Sequence, residues 1–116
     1  MVEEIKISAI LIILDDYLDQ YNNDLTKEQL NVLKTEITGL KDNVNSAKSN
    51  DEIKNASWNF CESISKIKPL SFLNDIDKNK FRGGFLPEPQ KDLKIKIINY
   101  CVMLQEKIDE LHEDML

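Results

Sequence analysis

Three places in the chain hold residue types at spacings that could do chemistry. In "DIDKNKFRGG", Asp75, Asp77 and Asn79 fall at alternating positions, as the first three ligands of a calcium loop would. Lys80 then stands where that loop needs a glycine for its sharp turn. Leu86 stands where a bidentate glutamate would close the cage. Two lysines beside the ion position oppose a cation as well, so the stretch reads as a polar turn at a helix end. Asp109 and His112 have the carboxylate-x-x-His spacing of a di-iron ligand pair. Such a centre needs two pairs and two further inward carboxylates. A single copy, a turn from the end of the chain, reads as a solvated histidine that complements the helix dipole. Cys61 and Cys101 lack CxxC spacing, and no histidine can be paired with either from sequence. There is no G-x-S-x-G, and no Gly-rich phosphate loop with its lysine. No catalytic residue, metal site or cofactor is expected, and the chain does not read as an enzyme. Carboxylate acid–base chemistry leaves no local signature, which keeps that alternative open.

The elements that must position these residues are helices. Helix one is expected from about Val2 to Tyr21. Ile5, Ala9, Ile12 and Asp16 trace one face; Ile7, Leu11, Leu14, Leu18 and Tyr21 trace another. So wide an apolar arc suits a central helix contacted on two sides. Helix two opens on a capping box, Thr26 with Gln29, with Leu25 and Leu30 where a hydrophobic staple belongs. Leu30, Leu33, Ile37, Leu40, Val44 and Ala47 then step by threes and fours, the seam of a bundle. Gly39 interrupts this helix at a cost of ~1 kcal/mol against alanine, and close approach of another helix is one reason for it. Helix three starts near Ser49 or Asn50 and buries Ile53, Ala56, Phe60, Cys61, Ile64 and Ile67 until Pro69 stops it. Trp58 falls off that stripe. A short helix over 70–77 is expected next. Helix four begins near Pro89 and runs to about Asp114 on Ile97, Cys101, Leu104, Ile108, Leu111 and Met115, with Ile95, Ile98 and Val102 broadening the face. No alternating pattern is long enough for a strand of consequence. The fold class is all-α: one domain over 1–116, a four-helix bundle with a long connection between the third and fourth main helices.

That connection is "KFRGGFLPEPQKD" and its approach. It holds two of the three glycines, two of the three prolines and the only arginine, Arg82. At ~20 residues it exceeds the usual bundle loop of about 2–8. Phe81, Phe85 and Leu86 either tuck in to cap the bundle or, with Arg82, form a contact patch of the residue types enriched at binding hot spots. A bundle alternates in direction in its simplest form. A connection of ~20 residues can instead span the ~30 Å bundle and return the chain, leaving helix four parallel to helix three. The acidic ends of helices one and four would then meet at one pole.

Those ends are the most informative part of the charge layout. Residues 1–24 carry a net of −5 and the last eleven residues a net of −4. Carboxylates at a helix C-terminus oppose the macrodipole at ~0.3–1 kcal/mol each. Helix four also starts with Lys91, Lys94 and Lys96, the wrong sign there too. Rules broken repeatedly in one direction point to a purpose other than stability. A net charge of −6 over 116 residues disfavours nucleic acid and anionic membrane as partners. The apolar run Ala9–Leu14 is far short of the ~18 residues of a membrane span. Glu3 and Glu4, with Asp15 and Asp16, do not suit a signal peptide. A cytoplasmic location with reduced, buried cysteines is expected.

In size, charge and helix count the chain resembles the small acidic all-α immunity proteins that bacteria make against their own bacteriocins or contact-delivered toxins. The resemblance rests on no shared motif. It implies a non-enzymatic inhibitor of a basic protein, such as a toxin or nuclease. The residues expected to make the contact are Asp15, Asp16, Asp19, Glu110, Glu113 and Asp114, which suit a basic surface electrostatically, together with Arg82 and Phe85. The alternative is a homo-oligomeric helical adaptor or regulator that self-associates through the helix-two seam or the run Ala9–Leu14.

Overall fold

A computed structural model describes residues 5–20, 24–75, 81–82 and 90–114. The order is β1 (Ile5–Lys6), α1 (Ile7–Gln20), α2 (Lys27–Ser46), α3 (Asn50–Ile64), a 3-10 segment (Lys68–Asp75), β2 (Phe81–Arg82) and α4 (Gln90–Asp114). The architecture is an all-α bundle, with the long connection between the third and fourth main helices. Among the described residues the β structure is a two-residue parallel pairing, Ile5 with Phe81 and Lys6 with Arg82. Sequence pattern does not show this pairing, because two residues carry no alternation. The pairing also moves the start of α1 from the expected Val2 to Ile7.

Local chemistry sets the other boundaries. The Thr26 hydroxyl accepts from the Gln29 N–H at 3.1 Å, and the Gln29 side chain accepts from the Thr26 N–H at 2.9 Å. Leu25 and Leu30, the staple positions, are both buried. Ser49 caps α3 by accepting from the Glu52 N–H at 3.2 Å. Helix α3 ends at Ile64, one turn before Pro69, which has no N–H to give the Ser65 carbonyl and whose ring would clash with it in a continued helix. The chain tightens instead into i→i−3 bonds: Lys66 N–H to Ser63, Ile67 N–H to Ile64 and Leu70 N–H to Ile67. The expected helix over 70–77 is thus a 3-10 segment that includes Pro69.

Helix directions follow from side-chain register. Lys34 pairs with Asp109, Gln105 donates to Thr38 Oγ1 at 2.7 Å, and Lys94 donates to the Asn45 carbonyl at 3.4 Å. Position rises along α2 as it falls along α4, so the two are antiparallel. The turn between α2 and α3 reaches under ~15 Å against the ~30 Å length of α2, so α3 also reverses on α2. Helices α3 and α4 therefore run parallel, and the simple alternating bundle is not the structure. The connection from Gln20 to Lys27 reaches at most ~25 Å, which keeps the C-terminal end of α1 at the pole where α2 begins. That is also where α4 ends, so α1 and α4 are parallel.

The core is the predicted seam. Leu30, Leu33, Ile37, Leu40, Val44 and Ala47 of α2 are buried, as are Ile97, Cys101, Leu104 and Ile108 of α4. Ile53, Ala56, Phe60, Cys61 and Ile64 line α3, and Ile67 lies just beyond it. Trp58 is partly buried against the cluster. Ser57 is buried with its hydroxyl donating to the Ile53 carbonyl at 2.7 Å. Two expectations fail on the outer helices. Helix α1 is not a central helix: Ile10, Leu11, Leu14 and Leu18 are buried, but Ile12 and Ile13 face solvent. Its main helix neighbour is α4, and Tyr17 meets Phe72 of the 3-10 segment with ring centroids 6.1 Å apart. Ile95 and Val102 likewise do not broaden the buried face of α4; both are exposed. Gly39 is not a close-approach site either, because a Cβ built there meets nothing within 4 Å. Among the described residues, no helix is long and apolar enough to cross a membrane.

Candidate functional site

Because α1 and α4 run parallel, their C-terminal halves lie side by side. The ammonium of Lys107 on α4 reaches across to Asp15 and, at 2.8 Å, to Asp19 on α1. Burial pulls the Lys107 pKa down, but hydrogen bonds and charge from both aspartates outweigh it and hold the group above its ordinary value. The lysine is therefore a fixed cation clamped by two carboxylates one helical turn apart. This accounts for part of the unfavourable charge at these helix ends: Asp15 and Asp19 hold α4 in place.

The remaining carboxylates are not used in this way. Asp16 on α1 and Glu106, Glu110 and Glu113 on α4 are exposed and form no ion pair among the described residues. Asp109 points the other way and pairs with Lys34 of α2. The α2–α3 side of the same pole is mixed, since Lys66 and Lys68 line a hollow of about 560 Å³ there with Glu28 and Glu36. The acidic surface is thus the α1–α4 side of the pole.

The expected contact residues separate accordingly. Asp15, Asp16, Asp19, Glu110 and Glu113 are brought to one side, two of them already engaged by Lys107. Asp114 ends α4 at the same pole. Arg82 lies in β2, beside the start of α1, so the 14 residues of α1, ~21 Å of helix, separate it from the acidic end. It does not share a patch with the carboxylates. Phe85 lies outside the described residues, as do Asp77, Asn79 and Leu86 of the rejected calcium loop. Among the described residues no three His, Cys, Asp or Glu side chains are grouped to hold a metal.

Sequence reasoning missed Lys107 and Glu106. The signal for Lys107 was present, because it is the one cation among five carboxylates in the last eleven residues. Reasoning also missed that His112 is half-buried rather than solvated, with its Nε2 enclosed and without a hydrogen-bond partner among the described residues. Asp109 serves Lys34 instead of His112. The two thiols are buried and free, and burial pushes Cys61 up to about 11 and Cys101 to about 12, the latter lowered slightly by the charge of Lys41. Both are poor nucleophiles in the folded chain. Compared with known protein families, curated proteins and solved structures, the chain matches none.

Proposed function

We propose that this protein is a non-enzymatic binding protein, an immunity-type bacterial inhibitor that acts in the cytoplasm and engages a basic partner such as a toxin or nuclease through the α1–α4 side of its acidic pole. One observation carries the reading. Four exposed carboxylates, Asp16, Glu106, Glu110 and Glu113, converge from two parallel helices and have no internal counter-charge among the described residues. Such a concentration of one sign speeds encounter with an oppositely charged protein and makes association sensitive to salt.

The test uses the whole chain as bait in its native host, beside a variant carrying Asp16→Lys, Glu110→Lys and Glu113→Lys. The bound protein is identified and its association kinetics are measured against ionic strength. A basic partner whose association rate falls at least ten-fold in the variant supports the reading. Unchanged rate and unchanged salt dependence would leave the face as a solubilising surface and remove the proposal.

The adaptor reading is favoured by a different observation, the exposure of Ile12 and Ile13 within the run Ala9–Leu14. Its other half is excluded, because the helix-two seam is consumed inside the chain. Sedimentation across a hundred-fold concentration range separates the two readings, since a monomer throughout removes self-association.

A further inference from the structure

No further inference is drawn: the strongest candidate, the hollow of about 560 Å³ between the start of α2 and the end of α3, gathers Glu28, Glu36, Lys66 and Lys68 with no ion pair among them, but nothing in the structure shows what would fill it.

Discussion

Helix α4 has two flanks, and they are built differently. On the α2 side it presents Ile97, Cys101, Leu104 and Ile108, all at most 1% exposed, to an equally buried row from Leu33 to Val44. The polar rim of that seam is satisfied locally: Gln105 bridges Thr38 and Lys41, and Lys34 meets Asp109. On the α1 side the same helix places Lys107 between two aspartates, and the side chains beyond the clamp are left apolar and exposed or acidic and unpaired. The first flank spends its side chains on the fold. The second holds the helices together through one cation and leaves a surplus of charge and apolar surface. A helix with a complete seam on one flank can tolerate a surface on the other that stability alone would not select.

The sharpest way to break this comparison is to damage the seam. Leu40→Ala should cost ~2–5 kcal/mol by urea unfolding, since the side chain is 2% exposed and the gap cannot fully collapse. A loss below about half a kcal/mol would mean that the seam is not the core.

Alkaline titration probes the buried thiols, of which Cys101 belongs to the seam itself. Cys61 and Cys101 are raised in the folded chain to about 11 and about 12, from an ordinary 9.0. Above pH 9 the unfolded chain gives up thiol protons that the folded chain retains. Stability from these thiols is therefore complete below pH 9 and is lost as pH rises through 11 to 12. The slope reaches at most ~2.7 kcal/mol per pH unit while both thiols differ. A Cys61→Ala, Cys101→Ala variant, less stable at neutral pH, should lose less stability between pH 8.5 and 10.5. An equal loss in both proteins would place the alkaline sensitivity elsewhere.

The two flanks should also differ in the worth of their ion pairs. Lys107 and Asp15 are 23% and 27% exposed at the side chain, whereas Lys34 and Asp109 are 40% and 57% exposed. Lys107→Met should cost ~1 kcal/mol, because it leaves two neighbouring carboxylates without their cation. Lys34→Met should cost under ~0.5 kcal/mol. Equal costs in thermal unfolding would mean that the α1 flank is not held by the clamp.

The smallest effect has the opposite sign. Gly39 sits mid-helix, and a Cβ there meets nothing within 4 Å. Gly39→Ala should stabilise by ~0.5–1 kcal/mol through helix propensity. A loss of stability on chemical denaturation would restore the close-approach explanation that the structure removes.

What the sequence determined by itself is what depends on neighbours along the chain. The capping box at Thr26 and Gln29, the seam from Leu30 to Ala47, the buried face of α3 and the start of α4 within one residue of Pro89 were all legible, because helix periodicity and capping are local. Burial of Cys61 and Cys101 followed from the same periodicity. The carboxylates of the candidate face were legible as residues but not as a face. Whether α4 ran parallel or antiparallel to α1 decided if Asp16 and Glu110 shared a surface or stood at opposite poles, and the local pattern is identical in both cases. The tertiary structure decided it through long-range contacts: the antiparallel register of Lys34–Asp109 and Gln105–Thr38, the pairing of Ile5 with Phe81, and the reach of Lys107 to Asp15 across 92 residues of chain. It also decided that Ile12, Ile95 and Val102, apolar and helically spaced like any core residue, stay outside. Periodicity ranks positions around a helix, but only the count and placement of neighbouring helices sets how wide an arc is covered.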